Sequence, residues 1–174
     1  MSTDLDLAVD LLRATPTHEN RSDGQLRAWA AIALAYGDEL AAGTDSAANE
    51  DVQVVEREGG IRRDEILVAE HHGDTVTVYT DSLTRLEKLA AENGFQVSRE
   101  ALRTAAIAHE LAHRRLDVRE LNRRLGHTAL RLGPFRMRGH VAGAEEIAAH
   151  RFAHHRSGLG VSPLLLTAAL AGGN

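Results

Sequence analysis

The chain has 174 residues, 43% of them hydrophobic and 26% charged. That suits one globular domain able to bury roughly two thirds of its unfolded surface. The absence of cysteine excludes disulfide frameworks, cysteine zinc sites, iron–sulfur clusters and thiol nucleophiles. A net charge of −5 argues against general binding to nucleic acid or anionic membranes, and 3% aromatic residues are too few for base-stacking platforms.

The first residues carry three acids before the first Arg and no apolar stretch of signal-peptide length, and no run approaches the roughly 20 apolar residues of a membrane span. The expectation is a cytoplasmic protein without a membrane partner. Residues 5–14 and 23–42 read as helices, the second opened by Ser22 and carrying Leu26, Trp29, Ala30, Ala33 and Leu40 at helical spacing. Gly43 to Asp51 is small, polar and aperiodic, the best candidate linker. A single domain over 1–174 follows, with a helical layer at 1–43 and a core at 52–174.

The pattern then shortens to β-branched runs at Val52–Val55, Glu65–Val68 and Thr75–Tyr79, separated by Gly59-Gly60 and His72-Gly73-Asp74. This predicts a small three-stranded, mostly antiparallel sheet in an α+β fold, with the Thr75–Tyr79 strand offering an edge to an extended substrate. Asp81 can cap a helix through Leu83, Leu86, Leu89 and Ala90 to the stop at Asn93-Gly94. Ser98 can cap the next, in which Leu102, Ala105, Ala106, His109, Ala112 and Leu116 fall near one stripe. Gly126 to Gly143, with four Gly and Pro134, reads as an irregular loop. Ala144 to Arg156 is helical again, ended by Gly158, and a last apolar helix begins at Ser162-Pro163.

Ten histidines are unusual in such a chain, and two of them form His109-Glu110-Leu111-Ala112-His113, an HExxH motif inside a helix. Positions i and i+4 share a helix face, so two imidazoles can grip one Zn²⁺ while the intervening Glu reaches the water it holds. That chemistry is metal-assisted hydrolysis with Glu110 as general base. A catalytic site needs a third protein ligand. No third His follows the motif at metzincin spacing, and peptide deformylase, which shares HExxH, requires a Cys this chain lacks. The carboxylates of Glu145 and Glu146 on the later helix are candidates, as is His150. An oxyanion donor is open among His127, His140, His150 and Tyr79.

The stretch Ala108 to His113, AHELAH, together with Glu146, Ala149, Phe152 and Ala153 downstream, resembles the ImmA/IrrE-like metallopeptidases, a compact branch of the gluzincin-type zincins. The resemblance covers about 45 residues, and this chain carries His150 where the family usually has Asn. It implies a minimal zincin-like fold, zinc held by His109, His113 and Glu146, catalysis by Glu110, and a peptide or regulatory protein of repressor type as substrate. A non-proteolytic zinc-binding protein of zincin fold, acting as a regulatory or interaction module, is the alternative. From Arg114 to Arg138 eight Arg face only Asp117 and Glu120. Without interleaved aromatics this run reads as a solvated surface rather than a nucleic-acid groove. The apolar helical ends suggest a homodimer.

Overall fold

The computed structural model describes residues 3–17, 20–43, 52–63, 65–132 and 135–172. Two reciprocal capping boxes start the chain. Thr3 and Asp6 exchange hydrogen bonds at the head of α1 (Asp4–Ala14), and Ser22 and Gln25 do so at the head of α2 (Asp23–Ala42). The linker expected over Gly43–Asp51 lies, beyond Gly43, outside the described residues.

The sheet is built from β1 (Gln53–Arg57), β2 (Ala69–His72) and β3 (Thr75–Tyr79) in the order β1-β3-β2. It is mixed rather than mostly antiparallel. β2 and β3 form an antiparallel hairpin, with His72 opposite Thr75 and Gly73 at φ +60°, while β1 runs parallel to β3. Two expectations are corrected. β3 is the middle strand and has no free edge for a substrate, and the second strand begins at Ala69 instead of Glu65. The backbone at Leu67 leaves the ladder because it is satisfied elsewhere. Its N–H donates to Gly60 O at 2.9 Å and its carbonyl accepts from Ser82 Oγ at 2.7 Å.

Asp81 does not cap α3 (Thr80–Glu92), whose N-cap, Tyr79, makes no side-chain cap bond. The Asp81 carboxylate instead accepts the backbone N–H groups of Gly59, Gly60 and Ile61 at 3.1–3.2 Å, tying the loop after β1 to α3. Ser98 caps α4 (Arg99–Arg115) as its spacing predicts, and a short α5 (Val118–Leu125), capped by Asp117, follows directly. The segment read as an irregular loop contains an antiparallel hairpin of β4 (Thr128–Leu132) and β5 (Phe135–Arg138). α6 (Ala144–Ser157) stops at Gly158, φ +67°, and α7 (Pro163–Gly172) closes the fold.

Two apolar clusters organise these elements. One gathers α1, α2, α5, α6 and the C-terminal half of α4 around Leu12, Leu121, Ile147 and Phe152. The other gathers the sheet, α3, part of α7 and the N-terminal half of α4 around Val76, Val78, Leu83 and Leu102. α4 is the shared element: Leu102, Ala105 and Ala106 pack on the sheet side, Ala108, Ala112 and Leu116 on the helical side. The HExxH segment therefore sits at the junction of the clusters.

Candidate metal centre

α4 and α6 pack closely because the residues between them are small. Ala108 and Ala112 on α4 and Ala149 and Ala153 on α6 are all buried, and small side chains let helix axes approach toward the short end of the 8–10 Å range. The rotation of α6 is set from behind. Arg151 donates to Asp38 on α2 at 2.6 Å and to Asp4 on α1 at 2.7 Å. With Arg151 and the buried Ile147 and Phe152 turned toward the helical cluster, Glu146 and His150 are left on the face toward α4.

The predicted ligands meet there. Glu146 Oε2 lies 3.3 Å from His109 Nε2, and its Oε1 lies 3.2 Å from His113 Nε2. His150, a candidate on the sequence both for the third ligand and for the oxyanion donor, comes in as well, its ring centroid 4.5 Å from that of His109. His109, Glu146 and His150 each present a ligand atom within 4.8 Å of the others, and His113 joins this trio through Glu146.

These residues fit a zinc ion on two grounds. A tetrahedral centre with metal–ligand distances of about 2.0–2.1 Å has ligand–ligand edges of about 3.3–3.4 Å, which the two imidazole–carboxylate separations match. His109 Nε2 is also buried without a hydrogen-bond partner among the described residues, since its approach to Glu146 is close but not aligned. A buried ring nitrogen in that state is costly unless something else meets it.

The electrostatics show a site that draws positive charge. Burial pushes the His109 imidazole down, but the carboxylates of Glu110 and Glu146 outweigh it and hold its pKa at about 9. The imidazoles of His109 and His113, 3.3 and 3.2 Å away, keep Glu146 far below the usual carboxylate range against the opposing effect of burial. Burial, reinforced by the charge on His109, pushes His150 down to about 3, so it is neutral beside a cationic neighbour.

Glu110 lies next to His109, with Oε1 3.4 Å from Nδ1, and both line a cleft of about 250 Å³. Glu146 and His150 line it too. Apart from Thr167 on α7, the rest is apolar: Leu67 and Val68 from the segment before β2, Leu86 from α3, Leu102 and Ala106 from α4, and Leu166 and Leu170 from α7. Sequence reasoning missed these walls, which come from four separated stretches whose periodicity signals only burial.

The remaining candidates lie elsewhere. Glu145 turns to His140, 3.5 Å away, which also faces Asn122. His127 packs edge-on to Trp29 at 5.0 Å. The Tyr79 hydroxyl donates to Glu70 at 2.5 Å and accepts from Arg57 at 2.8 Å. Of the four oxyanion candidates, the structure brings His150 alone beside His109, in the cleft that Glu110 also lines. In the basic run, Glu120 accepts from both Arg123 and Arg124, and Arg124 also reaches Glu39. No helix among the described residues is long and apolar enough to cross a membrane. Comparisons with protein-family models, with curated proteins and with solved structures find no match.

Proposed function

We propose that the protein is a zinc-dependent metallopeptidase that cuts next to an apolar side chain. The observation that carries this reading is the convergence of His109 and His113 on Glu146, with a buried His109 Nε2 that has no hydrogen-bond partner among the described residues. His109, His113 and Glu146 would hold the ion. Zinc, when bound, supplies a Lewis acid and a water acidic enough to attack near neutral pH. Glu110, which lines the cleft, would take up the proton of the attacking water and return it to the leaving amine. The apolar walls bind one substrate side chain and exclude water around the reacting bond, which strengthens every charge interaction there. The resemblance to ImmA/IrrE-like metallopeptidases supports the same roles and a regulatory protein as substrate in the cytoplasm.

Glu110→Gln tests the mechanism. It keeps the metal and loses hydrolysis by the roughly 10²- to 10⁴-fold that a positioned general base contributes. Hydrolysis at the wild-type rate would overturn it. The second reading, a zinc-binding regulatory or interaction module without hydrolysis, draws support from His150, because a fourth protein donor leaves no position open for substrate. It predicts zinc in the wild type and cleavage of no peptide.

A further inference from the structure

α4 and α6 each present a pair of side chains one turn apart to the same space: His109 and His113 from one, Glu146 and His150 from the other. Three of these follow from the HExxH pattern and its downstream acid. The fourth has no role in the hydrolytic scheme. We propose that His150 is a fourth protein donor to the metal centre, closing it at rest, so that a substrate must displace His150 to reach the ion. This rests on the metal-centre reading above.

Three observations carry it. A ligand atom of His150 lies within 4.8 Å of one on His109 and one on Glu146, and its ring tilts over that of His109 at 4.5 Å. Its one hydrogen-bond neighbour among the described residues is the Thr167 hydroxyl on α7, 3.5 Å from Nε2, the outer limit of such a bond. That hydroxyl already donates its proton to Pro163 O at 3.1 Å, so toward His150 it can only accept. Nε2 then carries the ring proton, and Nδ1 keeps the lone pair a metal needs. Metal-bound histidines ordinarily donate their other ring N–H to such an acceptor, which fixes tautomer and orientation.

The placement of Thr167 links this donor to substrate. α7 supplies Leu166 and Leu170 to the cleft wall and Thr167 to His150. A peptide side chain entering the cleft therefore presses on the helix that orients His150. Occupying the cleft and opening the metal become one event, and the centre stays closed to water and stray peptides until a fitting chain arrives.

The test uses the full chain loaded with Co²⁺ in place of Zn²⁺, with zinc affinity measured by chelator competition. Wild type is expected to show the intense visible bands of a four-coordinate centre made by protein alone. His150→Asn is expected to change those bands as water enters, and to weaken zinc binding by at least about tenfold, the least expected from losing even an orienting partner. Thr167→Val, which keeps the side chain's shape, is expected to weaken zinc binding about tenfold or more by freeing the ring. Wild-type bands and unchanged zinc affinity in both variants would overturn the proposal while leaving the metal centre standing, provided His113→Ala loses the ion. A wild type that binds neither cobalt nor zinc would overturn both readings together.

Discussion

A zinc ion held by His109, His113 and Glu146 would stabilise this protein through the helix pair that carries them. His109 and His113 sit on α4, Glu146 on α6, and the two helices belong to one packed unit through Ala112, Ala149 and Phe152. Unfolding separates the donors, so an ion that binds the assembled site is lost with the fold. At a free concentration of 100 times its dissociation constant, such an ion adds about 2.7 kcal/mol. For a chain of 174 residues, each kcal/mol moves Tm by about 2–4 °C, so the expected rise is about 5–11 °C. The assay is scanning calorimetry of metal-free protein with and without zinc, alongside three variants. Glu146→Ala and His113→Ala are expected to lose the shift. Glu145→Ala, whose side chain faces His140, is expected to keep it. A wild type that does not respond, or a Glu146→Ala protein that responds as wild type does, refutes the assignment of the donors.

Other consequences follow from packing, charge and the cleft. Gly37→Ala on α2 puts a methyl 2.6 Å from Ala148 O and 2.8 Å from Arg151 Cβ. Backbone cannot move aside as a flexible side chain can, so a loss of about 1–3 kcal/mol outweighs the roughly 1 kcal/mol gained in helix propensity. Urea denaturation checks it, and a more stable variant would refute the close crossing. For Asp81, burial pushes the carboxyl up, but the N–H groups of Gly60, Ile61 and Gly59 prevail and hold it below the ordinary 3.8. A depressed folded-state value means stability that is present above 3.8 and lost as pH falls below it. The melting-temperature gap between wild type and Asp81→Asn should therefore shrink on acidification through that range, and a gap independent of pH would count against the loop anchor. If the cleft buries one substrate side chain, Leu or Phe there gains about 1.5–3 kcal/mol over Gly, or about 10- to 150-fold in kcat/KM. A peptide library showing no such preference would detach the cleft from catalysis.

Much of the architecture was legible because local chemistry and tertiary packing agreed. Ser22 and Ser98 cap the helices they were read to cap, and Gly158 ends α6. The misreadings have one cause: periodicity records which face is buried, not which partner covers it. Ile66, Leu67 and Val68 look like a strand, yet Gly60 and Ser82 take up the backbone of Leu67, and all three line the cleft instead. Asp81 has the position of a cap and serves as a cap, but for the loop of Gly59 to Ile61. The hairpin of β4 and β5 was hidden by glycines and Pro134 that read as loop. At the site, HExxH was visible because its spacing is local to one helix. His150 carried only a weak signal, its i+4 spacing from Glu146, since its approach to His109 depends on how α6 is turned about its axis.

That rotation is where fold and candidate chemistry become one problem. Ala149, Phe152 and Ala153 are buried among α2, α4 and α6, and of the three Ala153 alone lines the cleft. Their effect on the site is indirect. They fix how near α6 comes to α4, while Arg151, held by Asp4 and Asp38, fixes which face it turns. A larger residue at Ala149 would part the helices, and a lost Arg151 would free the rotation. Either change would spoil separations of 3.2 and 3.3 Å between Glu146 and two imidazoles without touching a donor. The abundance of alanine in this chain, uninformative as composition, is therefore informative at these positions. Donors from two helices can share one ion only where the helices come close, and between α4 and α6 the closeness comes from side chains that have almost nothing beyond Cβ.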